Sequence, residues 1–324
     1  MPLSLRRGTV SAVRERLDGL VRLEVDGVPC VAYERLTGAV AEGDEVLVNE
    51  QARLLDLGSG GFDVLYANLT RGLGLSPESD AHVMALPYAP GQVAVRHVEE
   101  GEPLAERLDG LPVVCCSLHS QVAPVCAGLG RGRVAYVQLG GGALPVSLSD
   151  TVRGLKETGF LETSVAVAPC LDGDVRCVSA ASALAWAKAS GHEAVVCSIG
   201  PGIVGTGSSL GHGGLAAAEA ANAAVALGGR PVIAPRISEG DPRDRHRGLS
   251  HHTRAVLGLC LGDVELAWPI GLDGAPANAS AVGVEDWRAA CAGLTLDHMG
   301  RGPDEDPWFF AAAYAAGRLA RALQ

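Results

Sequence analysis

Apolar and polar positions are arranged in two different ways along this chain of 324 residues. In the first part, short valine-rich segments with partial alternation are separated by turn residues such as Asp18-Gly19 and Asp26-Gly27. This spacing is typical of a small antiparallel barrel or sandwich. From residue 111 onward, continuous apolar runs such as AVVCSI alternate with helical patterns. Continuous runs favour parallel strands that are covered on both faces. The predicted fold class is therefore α/β, with a mostly parallel layered sheet and helices on both faces.

The two patterns predict two domains, a small β-barrel or sandwich over residues 1–66 and an α/β domain over residues 67–324. The start of the second domain is ambiguous, because residues 67–110 hold only two extended segments around a turn at Pro90-Gly91 and a short helix or loop. Beyond it the pattern predicts strands at 112–117, 133–139, 163–168, 193–199, 231–235 and 264–268, and helices at about 120–129, 149–158, 179–190, 213–227 and 250–261. A last helix begins at Pro307, with Asp306 as its N-cap.

The composition excludes several classes of protein. A formal net charge of −11 argues against a nucleic-acid-binding protein and against binding to anionic membranes. No apolar run is long enough to span a membrane, and the N-terminus lacks the apolar stretch of a signal peptide. The nine cysteines are scattered without a CxxC pair, which indicates a reducing compartment. We therefore expect a cytoplasmic protein.

The N-terminal barrel has two interpretations. The simpler interpretation is a structural appendage or a dimer contact, because a fold alone does not imply a function. We also expect the protein to be a homo-oligomer. The functional alternative is a lid or a ligand-binding barrel.

Ligands of open parallel sheets bind outside the carboxyl ends of the strands, so we expect a site in the loops that follow the predicted strands. The loop after strand 112–117 contains His119, and Ser120 or Gln121 is the expected cap of the next helix. His119 then lies at the strand-to-helix corner as a candidate catalytic residue. The alternative is that His119 only forms hydrogen bonds within the loop.

A glycine-rich loop, GPGIVGTGSSLGHGG, follows the predicted strand 193–199. Its first glycines match G-x-G-x-x-G, but a proline interrupts them and no carboxylate ends the next strand, so a standard NAD fold is rejected. A glycine loop that leads into a helix N-terminus favours an anion. The candidate substrate-binding residues are Gly202, Gly205, Thr206, Gly207 and Ser208. The alternative is a tight turn packed against a neighbouring strand, and residues 140–142, three consecutive glycines, allow the same two interpretations.

The densest polar segment follows the predicted strand 231–235. Residues 236–254 contain five arginines, three histidines and three carboxylates. Ser250 is the expected N-cap of a helix with two histidines in its first turn, where the positive helix end favours neutral imidazole. The candidate catalytic residues are Asp241, His246, His251 and His252, and the arginines suited to clamp phosphate or carboxylate are Arg243, Arg245 and Arg247. The alternative is a solvated loop whose charges pair with one another.

A divalent metal ion of the zinc or manganese type is compatible with this segment as a cofactor. We expect His212 and His246 to converge with one of the two helix histidines, and Asp241 or Asp244 to complete a metal site or to orient an imidazole. The two adjacent helix histidines diverge by about 100°. We therefore do not expect them to share one ion.

At these segments the chain resembles a bacterial family, common in actinobacteria and firmicutes, that is known only as a domain of unknown function. The matching stretches are SLHSQ at 117–121, GPGIVGTG at 200–207, the run from Asp241 to Thr253, and MGRG with the following DP at 299–307. The resemblance spans nearly the whole chain and implies a stand-alone cytoplasmic protein. It implies no reaction, cofactor or catalytic residue.

The function that we predict from the sequence is enzymatic. A hydrolase or transferase would hold a small anionic substrate with the glycine-rich loop and the arginines, and use the histidines as general bases or metal ligands. The alternatives are a non-catalytic nucleotide- or metabolite-binding sensor, and a scaffold whose Arg/His loop forms a subunit interface.

Overall fold

The computed structural model describes residues 3–56, 60–72, 78 and 80–324. The chain forms two compact units, Met1–Arg96 and His97–Gln324. The division between them lies inside the segment 67–110, which was ambiguous in the sequence. The structure assigns to the first unit a hairpin that follows residue 66.

The first unit contains a closed five-stranded barrel, which confirms the prediction from its alternating segments. Its elements are β1 (Leu5–Leu17), β2 (Leu20–Val25), β3 (Val28–Ala32), α1 (Glu34–Thr37), β4 (Glu45–Asn49), α2 (Gln51–Leu54), β5 (Asp63–Asn68), and the hairpin strands β6 (Val83–Ala85) and β7 (Val93–Val95). The strand order in the barrel is β1-β2-β3-β5-β4. The neighbours are antiparallel except β3 and β5, which pair in parallel. The inward valines and leucines, such as Val10, Leu23 and Val46, form the core of this unit.

The second unit is a layered α/β structure. Its strands are β8 (Pro112–Cys116), β9 (Val134–Leu139), β10 (Thr163–Val167), β11 (Val175–Cys177), β12 (Ala194–Ile199), β13 (Arg230–Ala234), β14 (Ile237–Ser238), β15 (Gly248–Leu249), β16 (Glu265–Pro269) and β17 (Ala279–Val282). Its helices are α3 (Val122–Leu129), α4 (Asp150–Glu157), α5 (Ala180–Ala189), α6 (Ala216–Ala226), α7 (His251–Leu259), α8 (Trp287–Ala290) and α9 (Pro307–Ala322).

Eight of these strands form one parallel sheet in the order β11-β10-β9-β12-β8-β13-β16-β17. All six strands that the apolar runs predicted are present, with bounds shifted by a single residue. The two edge strands β11 and β17 were not predicted, because three- and four-residue segments carry too little of a pattern.

Helices cover both faces of the sheet, as predicted. On one face α3 and α9 pack together with one set of strand side chains, including Val114 and Val196. On the other face α5 and α6 pack on the alternate side chains, such as Val113 and Val195. Because aromatic residues are scarce, alanine supplies much of this packing, and the alanine-rich α6 lies directly on the sheet. None of the helices in the described part of the chain is both long and apolar enough to cross a membrane.

The last helix begins at Pro307, with Asp306 in the N-cap position, as predicted. The Asp306 side chain makes no capping hydrogen bond within the described chain. Its carboxylate instead accepts hydrogen bonds from the Ser238 hydroxyl, the Glu239 amide (3.1 Å) and the Arg301 guanidinium (3.3 Å). This carboxylate therefore joins the start of α9 to the loop after β13.

Candidate functional site

Three loops that the sequence singled out lie at one edge of the sheet. The strands β12, β8 and β13 are parallel neighbours, so the loops at 117–121, 200–214 and 236–254 all leave the same edge. Gln121, considered from the sequence only as a helix cap, connects two of these corners. Its side-chain amide donates to the Ala234 carbonyl at 3.0 Å, and its oxygen accepts from the Leu118 amide at 3.1 Å. The edge is therefore held together by a fully buried amide.

The glycine-rich loop folds as an exposed β-hairpin. Gly205 pairs with His212, and the Thr206 amide donates to the Gly211 carbonyl at 2.7 Å. The Ser208 amide donates to the Thr206 hydroxyl, which itself donates to Gly211. Gly202, Gly205, Thr206, Gly207 and Ser208 are all exposed. Hydrogen bonds within the hairpin thus occupy the amides of Thr206 and Ser208, two of the five candidate residues.

Glycine at the base of this hairpin serves a close backbone contact. A Cβ on Gly213 would lie 2.0 Å from the Gly141 carbonyl oxygen, and a Cβ on Gly141 would lie 2.6 Å from that of Gly213. The three glycines at 140–142 therefore let two loops touch, which is the structural alternative that the sequence left open.

A cluster of four histidines forms beneath the hairpin. Ser250 caps α7 as predicted, since its hydroxyl accepts from the His252 amide at 3.2 Å. His251 and His252 occupy the first turn of α7, His246 comes from the 3₁₀ turn Asp244–His246, and His212 comes from the end of the hairpin. The ring centroids of His246 lie 4.7 Å from His251 and 4.8 Å from His252, and the His212 ring stacks on His252 at 3.7 Å. We call these four residues the histidine cluster.

We expected that His251 and His252 would not share one metal ion, and the distances between their ring nitrogens show that this expectation was wrong. One side-chain nitrogen from each of His246, His251 and His252 lies within 4.8 Å of the other two, and the centroids of the adjacent pair are 4.5 Å apart. In the first turn of a helix no preceding turn restricts the side-chain rotamers, so neighbouring rings are able to turn toward one another. His246 comes from the 3₁₀ turn that precedes α7, and its ring lies close to both of these rings.

Hydrogen bonds hold two of the rings. His246 Nδ1 lies 2.8 Å from the Ser250 hydroxyl, and Arg236 donates to His252 Nδ1 at 3.1 Å. His251 Nε2 is buried and has no hydrogen-bond partner in the described chain, whereas the buried His212 ring lies against the Ser209 backbone. A buried imidazole nitrogen without a partner is costly, so His251 Nε2 is the candidate contact atom for a ligand.

The imidazoles of the cluster are neutral. Burial and the Arg236 charge lower the pKa of His246 to about 3 and that of His252 to about 2. Burial lowers the pKa of His251 and His212 as well, and the charge of Arg245 adds to the effect at His251. Neutral rings are able to accept a proton or bind a metal near neutral pH.

Asp241 does not orient an imidazole or complete a metal site, contrary to the expectation. Its buried carboxylate accepts from Arg236 at 3.2 Å, from Arg243 at 2.8 Å and from Arg301 at 3.3 Å. Burial opposes its ionisation, but the hydrogen bonds and charge of Arg243 outweigh burial and hold the pKa of Asp241 below its usual range. We call these four residues the Asp241 network. Arg301 lies sixty residues from Asp241 in the sequence, so the pattern could not show this contact.

The three arginines chosen as an anion clamp have different roles. Arg243 is engaged with Asp241, and Arg247 pairs with the exposed Asp244 at 3.5 Å. Arg245 is exposed and forms no ion pair with any residue that the structure describes. Of the three, Arg245 is therefore the guanidinium that remains available to an incoming anion. Arg236, missed from the sequence, is fully buried, and burial lowers its pKa to about 10.

His119 does not join the histidine cluster. Its Nε2 lies 2.7 Å from the Ser149 hydroxyl, and its Nδ1 lies 3.2 Å from the Ile199 carbonyl oxygen. Ser149 caps α4, and α4 packs on α3, so His119 belongs to the α3 face of the sheet, whereas α7 packs on α6. Burial lowers the pKa of His119 to about 4. The alternative interpretation of His119, hydrogen bonding that ties loops together, matches these contacts.

A cleft of about 600 Å³ opens at the carboxyl ends of β9 and β10, beside the cluster. Polar and apolar surface line it in about equal parts, and the apolar side chains include Leu139, Pro169 and Leu215. Its polar lining includes His212 and Glu219, a carboxylate of α6. His212 thus lines the cleft and also stacks on a ring of the cluster.

The fold and this site define an α/β protein with a histidine-rich centre at the carboxyl edge of a parallel sheet. Over residues 29–317 the chain matches the model of a family described as a protein of unknown function (DUF3866), and it belongs to that family. The resemblance inferred from the motifs is thereby confirmed. Among curated proteins, none matches the chain.

Proposed function

We propose that the protein is an enzyme, a hydrolase or a transferase, that acts on a small anionic substrate at the histidine cluster. The observation that carries the proposal is the convergence of four neutral imidazoles at the edge where parallel sheets bind ligands. A neutral imidazole is able to act as a general base without first losing a proton.

The unpartnered nitrogen of His251 supports a ligand-binding role. Most buried ring nitrogens have hydrogen-bond partners, and His251 Nε2 has none in the described chain. His192 and His298, outside the cluster, share this property, but His251 in addition lies against two other imidazoles. The adjoining cleft is large enough for a small molecule. Its apolar side chains would hold the uncharged part of the substrate.

The charge around the cluster supports an anionic substrate. Three arginines surround Asp241, so their charges exceed that of this carboxylate, and among the described residues the only other carboxylate bound to them is Asp306. Arg245 adds an exposed guanidinium close enough to depress the pKa of His251. A carboxylate or phosphate group would complement this excess of positive charge.

Turnover of activated esters tests the proposal. The purified protein is assayed with p-nitrophenyl phosphate, bis(p-nitrophenyl) phosphate and p-nitrophenyl acetate, beside His251→Ala and the control His82→Ala, an exposed histidine of the first unit. We expect the wild type and H82A to turn over at least one ester, and H251A to lose about 100-fold or more of that rate. The melting temperature of H251A should stay near that of the wild type.

Equal rates for the wild type and H251A would contradict the proposal. Stabilisation of the wild type by phosphate or acetate, without turnover of any ester, would instead support the sensor alternative.

A further inference from the structure

We infer that His246, His251 and His252 form a binding site for a single divalent transition-metal ion of the zinc class. The three side chains place one nitrogen each within 4.8 Å of the other two. This inference goes beyond the proposed function, since metal binding does not depend on turnover of any substrate. Each of the three ligands is argued below from its own hydrogen bonds.

His246 is oriented for coordination through Nε2. The Ser250 hydroxyl oxygen already accepts from the His252 amide at 3.2 Å and lies 2.8 Å from His246 Nδ1. A hydroxyl oxygen has two lone pairs, so it is also able to accept the Nδ1 proton. The lone pair of His246 then resides on Nε2. A hydrogen bond from the other ring nitrogen is the usual support for a metal-bound histidine.

His251 provides the atom that most needs a partner. Its Nε2 is buried and makes no hydrogen bond within the described chain. No water or protein donor is required if a metal ion occupies this position, because coordination uses the same lone pair. The ring also lies against both other ligands, at 4.7 Å from His246 and 4.5 Å from His252.

His252 is the conditional ligand. An arginine only donates, so the Arg236 contact at 3.1 Å makes His252 Nδ1 an acceptor and places the proton of the neutral ring on Nε2. Metal binding through Nε2 requires the other tautomer, with the proton moved to Nδ1, and binding through Nδ1 requires the lone pair that now accepts from Arg236; in both cases the Arg236 contact must be given up. His252 should therefore contribute less affinity than the other two.

The donor set indicates the kind of metal. Three imidazole nitrogens without thiolate or carboxylate suit zinc, cobalt, nickel or copper and do not suit calcium or magnesium. Three protein ligands also leave a fourth position of a tetrahedral ion open, as in catalytic zinc sites. The buried Arg236 charge opposes a cation, and Asp241, at 3.2 Å but shared with Arg243 and Arg301, offsets it only in part.

Cobalt titration of the full-length protein tests the site. The protein is dialysed against a chelator, and Co²⁺ alone is added while the visible absorption of tetrahedral cobalt is recorded. We expect one Co²⁺ per chain, displaced by Zn²⁺, and unchanged binding in the control His82→Ala. Removal of a group that hydrogen-bonds a metal-bound histidine lowers metal affinity by about 10–100-fold. Loss of a coordinating imidazole itself in His246→Ala or His251→Ala should therefore lower the Co²⁺ affinity at least about 100-fold.

Two further variants, His252→Ala and His251→Gln, complete the test. His252→Ala should lower the Co²⁺ affinity less than the other two variants do. Should H251A fail to fold, His251→Gln retains a polar side chain of similar length and is measured in its place. Binding of less than a tenth of an equivalent by the wild type, or binding that H251A and H251Q leave unchanged, would overturn the inference.

The metal site and the proposed catalysis are able to fail separately. Stoichiometric Co²⁺ binding with no turnover of any ester leaves the metal site standing and contradicts the proposed function. Turnover by a protein that binds no Co²⁺ overturns the metal site and leaves general acid–base catalysis by the cluster standing.

Discussion

Asp241 holds together the charged groups of the candidate site. Its carboxylate is fully buried and receives hydrogen bonds from three guanidinium groups, one of which, Arg236, is itself fully buried and contacts the histidine cluster. The charge of Arg236 is tolerated in the interior because Asp241 offsets it. Asp241 therefore acts on the cluster indirectly, by holding Arg236 against His252.

Neutralising Asp241 should destabilise the second unit strongly. In Asp241→Asn the Arg236 charge stays buried without its counter-ion, and breaking such a pair costs about 3–5 kcal/mol. Urea denaturation measures the loss in the free energy of unfolding. The matched control is Asp244→Asn, because that carboxylate is exposed and pairs with Arg247 only at 3.5 Å. The control should change stability by less than about 0.5 kcal/mol, and equal losses in both variants would refute the argument.

At the scale of residues, the sequence located the histidines but not their partners. The spacing around Ser250 predicted the N-cap and the two first-turn imidazoles, because capping is a local property. It could not show that Asp241 bonds to Arg301, which arrives from a distant loop. His119 was expected near the cluster because a strand end fixes the edge of the sheet but not the face to which a side chain turns.

At the scale of elements, the hairpin at 204–213 is fixed by the contact between Gly141 and Gly213. The Val204 amide donates to the Gly141 carbonyl at 2.9 Å, and the Gly213 amide donates to Val204 at 2.7 Å. The hairpin carries His212 into the cluster. The position of His212 therefore depends on two backbones that approach without side chains between them.

Adding one methyl group at this contact should disturb the hairpin. In Gly213→Ala the new Cβ would lie 2.0 Å from the Gly141 oxygen, so one loop must move, at a cost of about 1–3 kcal/mol. Gly207→Ala is the control, because a Cβ there meets nothing within 4 Å and its φ is not positive. Chemical denaturation should separate the two variants. A G213A protein as stable as G207A would show that the loops have room to spare.

The elements themselves were the most predictable part of the molecule. Each long apolar run became a strand and each helical pattern a helix, because burial on both faces leaves a continuous signal in the sequence. The glycine-rich loop was expected to bind an anion, and this stays a prediction. The hairpin gives the Thr206 and Ser208 amides partners inside the loop, which the glycine spacing did not show.

At the scale of the whole molecule, the second unit should lose stability in acid. The folded-state pKa values of His119, His246, His252 and His298 are lowered to about 4, 3, 2 and 3, whereas an unfolded histidine titrates near 6.5. Below about pH 6.5 the unfolded chain therefore binds protons that the folded chain excludes, so stability falls as the pH falls. Each such histidine costs about 1.4 kcal/mol per pH unit across this range.

Denaturation at pH 7.5 and at pH 5.5 measures this dependence. Replacing a cluster histidine, as in His246→Gln, should flatten the slope of the free energy of unfolding against pH by one proton. A slope that is the same in H246Q and the wild type would show that His246 is not held neutral by the fold.

The order of the strands was not predictable, since apolar runs show that strands are buried but not which strands are neighbours.

The order of the strands in the sheet has a consequence for folding during synthesis. β8 and β9 are synthesised in succession, yet β12 lies between them in the finished sheet. In a nascent chain that has emerged only as far as β11, β12 is not yet available to pair with β8 and β9. The facing backbone groups of these two apolar strands are therefore unpaired. These groups gain their partners when residues 194–199 appear, and the histidines follow within some sixty residues of that event. The histidine cluster is thus able to assemble only after β12 has paired with β8 and β9. A ribosome-bound intermediate that lacks β12 exposes unpaired apolar strands, and in this state we expect the protein to need protection from aggregation by a chaperone.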